Sequence, residues 1–361
     1  MSAAPTLITS LEVEGLEVAL VEPFTIATGV ISAARNVLVK VKLSDGTVGI
    51  GEASPCGPSG GETMETTVAA VRGMVELVQG RDARDWRTIA KRLHGDFEHQ
   101  EAARAVVEFA VLDALTRHWK IPLYVFFGAA NDRIETDITI PISEPAHMAE
   151  LARKYAERGA STIKVKVGKD RDEDVNRVVA IAAAAPRCGL IVDGNQGYSP
   201  SIAVDFARLL HARNIRPILF EQPVHRHDLD GMRFVTERCG FPVAADEALH
   251  TAADALRIVR MGAANVLNVK LMKSGVAEAL DIAAIARAAH VDLMIGCMSE
   301  SRLGIAMSVH LAAGVGGFRY IDLDAPMFLT QDPFTGGYEQ DGYWYSLGKV
   351  TQGLGVEPRT R

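Results

Sequence analysis

An α+β domain followed by an eight-stranded β/α barrel is the architecture that this sequence predicts. Three observations predict it. Leu7 to Trp119 reads as strands and then helices. Beyond about Asp132, short apolar strands alternate with helical segments at spacings of roughly 22–29 residues, as successive βα units do. No GxGxxG or Walker A loop follows an early strand, as would be normal in the competing doubly wound sheet.

Leu7–Ala19 and Asn36–Leu43 are rich in β-branched and aliphatic residues, and Ser44-Asp45-Gly46-Thr47 separates Val39–Leu43 from Val48–Gly51 as the turn of a hairpin. From Glu62 the period becomes helical. In Ala103–Trp119 the residues Val106, Val107, Ala110, Ala114 and Leu115 share a face, and Ile121-Pro122 ends the run. The eight barrel strands are expected at Thr136–Ile142, Thr162–Val167, Leu190–Val192, Pro217–Glu221, Pro242–Asp246, Asn265–Lys270, Asp292–Cys297 and Tyr320–Asp324. Residues 1–131 then form the α+β domain and 132–325 the barrel. The turn-rich segment 326–361 is expected to pack back on the first domain.

Bulk properties narrow the function. The 361 residues are 48% hydrophobic and 23% charged, an ordinary globular mixture with material for a large core. The net charge of −7 disfavours a nucleic-acid partner. Cys56, Cys188, Cys239 and Cys297 show no metal-ligand spacing, which fits a reducing compartment. Met1–Thr6 lacks the pattern of a signal peptide, and no stretch has the length and apolarity of a membrane span. A cytoplasmic protein is expected.

The charges sit where chemistry needs them. Asp193, Glu221 and Asp246 each follow an apolar strand, on three consecutive strands. Strand C-termini of a β/α barrel meet on one face, where active sites form. A single acid there is most often a helix cap, but three adjacent carboxylates repel unless a cation joins them. Three oxygens with room for water or substrate suit octahedral Mg²⁺, with Mn²⁺ as a substitute. In Ile163-Lys164-Val165-Lys166-Val167 the alternation points Lys164 and Lys166 to one face and the valines to the other. Mutual repulsion is expected to lower the pKa of at least one of these lysines, making a general base. Lys270 ends the sixth strand, opposite the second in a ring of eight, so Lys166 and Lys270 face each other across the mouth. Such a pair can remove a proton from one face of a planar carbanion and return it to the other. Lys273 falls past the strand end and ranks lower.

These residues resemble the enolase superfamily, its muconate-lactonising subgroup, and within that the dipeptide epimerases, which include the L-Ala-D/L-Glu epimerases. The motifs are Lys164-Val165-Lys166, Asp193-Gly194-Asn195-Gln196-Gly197-Tyr198, Glu221-Gln222-Pro223, Ala245-Asp246-Glu247, Asn268 through Gly275, Ile295 through Ser301, and Asp322-Leu323-Asp324. Pro23-Phe24, Gly51-Glu52-Ala53 and Gly61-Glu62 extend the likeness over nearly the whole chain. The resemblance implies a modified (β/α)7β TIM barrel with an N-terminal α+β capping domain. It implies Asp193, Glu221 and Asp246 as Mg²⁺ ligands, Lys166 and Lys270 as the acid/base pair, and Lys164 as electrostatic support for an enediolate. Asn195 and Glu247 are expected to hold the ligand carboxylates from behind. Asp322 and Asp324, on one face by period two, are expected to bind the free ammonium of a dipeptide. Thr28 and Met298 are expected to border the substrate. A homo-oligomer is also expected.

One departure bears on specificity. The capping loop Thr25–Val30 has no Lys or Arg, and none follows before Arg35. In Ala-Glu epimerases this loop supplies a basic residue for the glutamate side chain. An uncharged or hydrophobic C-terminal side chain is therefore expected here. The rival readings are N-acylamino-acid racemisation, o-succinylbenzoate synthesis or cycloisomerisation on the same scaffold, and a metal-binding barrel without catalysis. Zinc hydrolysis lacks its histidines. Gly57-Pro58-Ser59-Gly60-Gly61 matches GxSxG formally, but no buried strand precedes it, so a mobile capping loop is the better reading.

Overall fold

The computed structural model describes residues 6–55 and 61–359; Cys56 and most of the GxSxG match lie outside them. Three antiparallel strands open the chain: β1 (Ile8–Ile26), β2 (Gly29–Leu43) and β3 (Val48–Ala53). The β2–β3 hairpin matches its expected turn. The β1–β2 hairpin is longer than expected. Phe24 pairs with Ile31 and Ile26 with Gly29, so Thr25–Val30 is strand on either side of a tight turn rather than a loop. Pro23 is accommodated because it falls in the bulge between Ala19 and Phe24, where no ladder bond needs its N–H.

The helix Glu101–His118 is buried on every side from Ala102 to Thr116, which corrects the one-faced reading. It lies between the cap sheet and the barrel helix Leu271–Ala289 and has no solvent face to keep polar. Its polar residues are used as long-range acceptors. Asp113 takes the N–H of Ile50 at 2.9 Å and of Leu354 at 2.7 Å, joining cap strand, cap helix and C-terminal tail.

The barrel begins after a short strand, β4 (Arg133–Glu135), which pairs with Trp344–Ser346 of the tail. Eight parallel strands follow in ring order: β5 (Ile138–Ile140), β6 (Thr162–Lys166), β7 (Gly189–Asp193), β8 (Leu219–Glu221), β9 (Val243–Ala245), β10 (Val266–Lys270), β11 (Asp292–Gly296) and β12 (Phe318–Ile321). Seven helices alternate with them, so the fold is the expected (β/α)7β barrel with an α+β cap. The seam between β12 and β5 is closed by Asp137 N–H to the Ile321 carbonyl at 2.9 Å and by Leu323 N–H to Thr136 Oγ1 at 2.8 Å. No helix among the described residues is long and apolar enough to cross a membrane.

Inside the ring, Ile191, Leu219, Ala244, Val266, Met294 and Tyr320 form one buried apolar layer, a residue from each of β7 to β12. Period two fixes what lies above it. Asp193, Glu221, Asp246 and Asn268 each stand two residues beyond a member of that layer. The apolar layer is thus the floor of the site, and it contributes about 1.5–3 kcal/mol per large aliphatic side chain buried.

Close packing of cap strand on cap helix sets a testable constraint. A Cβ at Gly49 would meet Ala114 N at 2.1 Å and Ala110 O at 2.3 Å, both backbone, whereas one at Gly95 would meet nothing within 4 Å. Gly49→Ala is expected to lose about 3 kcal/mol. Gly95→Ala should be neutral or gain up to ~1 kcal/mol. Chemical or thermal unfolding midpoints of the two variants check this.

Candidate active site

The structure brings the expected charges together at the C-terminal rim. Lys164 is buried and lies 2.7 Å from Asp322 Oδ2, 2.8 Å from Glu221 Oε2 and 3.0 Å from Asp193 Oδ2. Lys166 Nζ is 2.6 Å from Asp193 Oδ2. At the other end of the carboxylate arc, Lys270 Nζ is 2.8 Å from Asp246 Oδ2. Lys166 and Lys270 end β6 and β10, four strands apart in the ring of eight, so they approach from opposite walls.

For Lys164 the direction is opposite to a lowered lysine pKa. Burial pulls the Lys164 ammonium down, but Asp322, Glu221 and Asp193 together carry it well above the usual lysine range. Lys270 is likewise carried up, by Asp246, Glu221 and Asp322 against burial and Lys164. The two lysines of β6 do not face only each other, because each is matched to a carboxylate.

The acids feel the reverse. Burial and the neighbouring Asp193 push Glu221 up to about 8. Burial and Asp246 push Glu247 to about 7. Asp246, although buried, is held well below the usual range by Lys270 and Lys273.

The donor set fits a hard divalent cation. Asp193, Glu221 and Asp246 are fully buried oxygen donors on adjacent strands. Glu221 Oε2 accepts no hydrogen bond despite its proximity to Lys164, and Asn195 Oδ1, Glu247 Oε2 and Asn268 Oδ1 are also buried without a partner. Buried oxygens left in this state call for a cation or water. Asn195 and Glu247 lie beside the arc, Asn195 touching Asp193 through its backbone and Glu247 touching Asn195. Asn195 N–H donates to Asp193 Oδ1 at 2.9 Å, and its Nδ2 donates to Glu247 Oε1 at 3.4 Å.

Asn268, Gln222 and Asp137 were not assigned a role from the sequence, and Lys273 was ranked too low. Asn268 Nδ2 donates to Glu221 Oε1 at 2.9 Å. It shares the inward face with Lys270 by period two, which is the signal that could have found it. Lys273 Nζ reaches Asp246 Oδ1 at 2.5 Å and also its carbonyl, since the chain turns into a helix directly after Lys270 and lifts the residue one turn on over the rim. Gln222 Oε1 accepts the N–H groups of Asp246, at 2.9 Å, and Ala248, at 3.2 Å. Asp137 is buried under the site, and burial with Asp322 and Asp324 beside it raises its pKa well above the usual value.

A cavity of about 100 Å³ opens beside Lys166. Asp322 and Asp324 line one end with Cys297 and Met298, and Leu20, Phe24, Ile26, Ile31 and Phe328 supply an apolar wall. Asp324 Oδ2 accepts the Thr139 N–H at 2.6 Å, and burial with Asp322 raises its carboxyl to about 7. Thr28 does not line this cavity. It sits exposed at the hairpin turn, which carries Phe24, Ile26 and Ile31 over the pocket instead. A larger cavity of about 490 Å³ lies at the opposite mouth of the barrel, near Arg133 and Trp344 and away from the lysines.

Comparison with known proteins agrees with this geometry. Residues 10–128 match the mandelate racemase/muconate lactonizing enzyme N-terminal domain, and residues 147–361 match the enolase C-terminal domain-like family. The chain belongs to the mandelate racemase/muconate lactonizing enzyme family of the enolase superfamily. Within that family it is 48% identical, over 98% of this chain and 99% of the relative, to an aromatic dipeptide epimerase of Herpetosiphon aurantiacus. It is 40% identical to an L-Ala-D/L-Glu epimerase of Thermotoga maritima, over 89% of this chain and 93% of the relative. A solved dipeptide epimerase of Enterococcus faecalis V583, in complex with Mg and L-Leu-L-Tyr, superposes with a TM-score of 0.93 at 35% identity, covering 97% and 99% of the two chains.

One buried acid of this family member gives a pH test. Burial raises Glu300 to about 8, against the helping N–H of Met298. Folded Glu300 keeps its proton up to that pH, whereas the unfolded side chain loses it near its ordinary value of 4.5. Its contribution is complete below about pH 4.5 and is lost as pH rises to about 8. Protein stripped of divalent metal should therefore lose stability between pH 5.5 and 8, and Glu300→Gln should flatten that slope by about 3 kcal/mol. Thermal melts of both proteins across this range measure it.

Proposed function

We propose that this protein is a Mg²⁺-dependent dipeptide epimerase that inverts the α-carbon of the C-terminal residue and prefers an uncharged, apolar side chain there. The observation that carries the reading is the joint placement of Lys166 and Lys270 at opposite ends of one carboxylate arc, with Asp322 and Asp324 at the edge of the same pocket.

The roles follow from position. Asp193, Glu221 and Asp246 would hold the cation. Bound Mg²⁺ supplies Lewis-acid stabilisation of the substrate carboxylate, and Mn²⁺ is an acceptable substitute by its oxygen preference. Asp322 and Asp324 receive the substrate's free ammonium in a buried pocket, where an ion pair is strong and an acylated amine would leave two acids unanswered. That disfavours the acylamino-acid and cycloisomerase readings. One lysine takes the α-proton from its face and the other delivers a proton to the opposite face, so the pair works in both directions. Lys164, between Asp193, Glu221 and Asp322, offsets the second negative charge that develops as the enediolate forms.

Specificity comes from the cap. Phe24, Ile26 and Ile31 cover the pocket from the β1–β2 hairpin and Phe328 closes it, with the Phe24 and Phe328 rings 5.2 Å apart, edge to face. Among the described residues lining the pocket Lys166 is the one cation, and Asp193 already holds its ammonium, which disfavours a glutamate side chain there. The free thiols of Cys188, Cys239 and Cys297 suit a reducing cytoplasm.

In D₂O with Mg²⁺, a dipeptide library is expected to show α-deuterium incorporation, greatest for apolar C-terminal residues. Strong preference for acidic ones, read by mass spectrometry, would sink the specificity reading. Lys166→Ala and Lys270→Ala should each lower epimerisation by roughly 10²–10⁴-fold. Each should keep exchange with one epimer only, and exchange of both epimers by both variants contradicts the opposite-wall geometry. Asp322→Asn and Asp324→Asn should each reduce kcat/KM for dipeptides by about a hundredfold or more, with N-acylated amino acids as the control substrates.

A further inference from the structure

Lys270 is the last residue of β10, and the chain then makes one helical turn before the path breaks at Gly275, with φ 68° and ψ −174°. A second helical segment starts at Val276 and runs to Ala289. Its first N–H groups are answered from the other domain. Glu108, buried on the cap helix, accepts from Val276 N–H at 2.8 Å and Ala277 N–H at 2.9 Å, both through Oε2. A carboxylate at this end of a helix is favoured by the dipole as well as by the two bonds. The approach is close enough to demand glycine, since a Cβ at Gly275 would come within 2.5 Å of Glu108 Oε1.

On the near side of the break, Asp246 holds both Lys270 and Lys273. The short span from Lys270 to Gly275 is therefore fixed at one end by a barrel carboxylate and at the other by a cap carboxylate. Among the described residues, the Lys166 side meets the cap only by side-chain packing, since a Cβ at Gly168 would come 3.2 Å from Ala27 Cβ and Phe24, Ile26 and Ile31 line the pocket beside Lys166. Asp193 holds its ammonium, and its following loop is held within the barrel by Asp174, which accepts from Gly168 N–H at 2.8 Å and from Tyr198 Oη at 2.7 Å.

We infer that Glu108 is a positioning residue for the Lys270 side of the proton-transfer pair, so that this buried cap carboxylate governs one of the two bases and not the other. This rests on the two-base reading above. The misplacement expected from its loss is small but lies at a reacting group, where tenths of an ångström matter.

The test is α-proton exchange in D₂O, measured separately for each epimer of one dipeptide with the Mg²⁺-loaded full chain. Lys270→Ala and Lys166→Ala serve as references, the first identifying the epimer whose exchange needs Lys270. Glu108→Ala is expected to slow exchange of that epimer about tenfold or more, while the other epimer stays within about twofold. Glu108→Gln retains one acceptor oxygen and should fall between wild type and Glu108→Ala, with the same bias. Equal slowing of both epimers, or no slowing, overturns the inference. If Glu108→Ala does not fold, the ratio in Glu108→Gln decides alone. If the two lysine references show no bias between epimers, the two-base reading itself fails, and the inference falls with it.

Discussion

A buried ammonium ringed by carboxylates is the interaction on which the site depends. Lys164 meets Asp193, Glu221 and Asp322 from three other strands, two on one side of β6 and one across the barrel seam. An unanswered charge at that depth would be prohibitive. Around it the acids still outnumber the bases among the described residues: Asp137, Glu300 and Asp324 are buried as well and Glu247 is half-buried, while Lys166, Lys270 and Lys273 add positive charge. Burial, reinforced by that surplus, pushes Glu221, Glu247, Glu300 and Asp324 towards neutral pH. A divalent cation and a substrate ammonium are the two positive charges that would relieve it, one at each end of the pocket.

Chemistry and specificity are built by different parts of the chain. The barrel strands present the charges above a floor of apolar side chains. The cap supplies the apolar wall through the β1–β2 hairpin. The two parts are locked by buried acids acting as caps across the domain boundary. Glu52 accepts from Asn36 Nδ2 at 2.6 Å, Ser301 N–H at 2.9 Å and Gly304 N–H at 2.9 Å, and so caps the barrel helix Arg302–Val315 just beyond the Met298 loop. The pocket-facing hairpin side chains Phe24, Ile26 and Ile31 are not among these contacts, so the apolar wall can change while the cap stays locked to the barrel.

Much of the site was legible because barrel strands carry a strict two-residue period and end on one rim. Lys164 and Lys166 share a face for that reason, as do Asp322 and Asp324, and the three acids that end successive strands had to converge. Gln222 and Lys273 were harder to see because their roles lie in contacts with the chain around Asp246, made past the strand ends, where no period applies. Thr28 misled because a loop was expected where pairing runs almost to the turn, and one residue of shift exchanges the faces of a strand.

The sequence by itself determined the barrel, its cap, the inward face of each strand and the residue types of a metal-assisted proton transfer, because these follow from short-range periodicity. Tertiary structure alone decided which ammonium meets which carboxylate, and it carried Lys164 up rather than down. It also showed that the central cap helix has no exposed face, and that Glu108 reaches the segment behind Lys270. Those outcomes depend on distances between residues far apart in the chain, where burial and charge act through space and leave no pattern along the sequence.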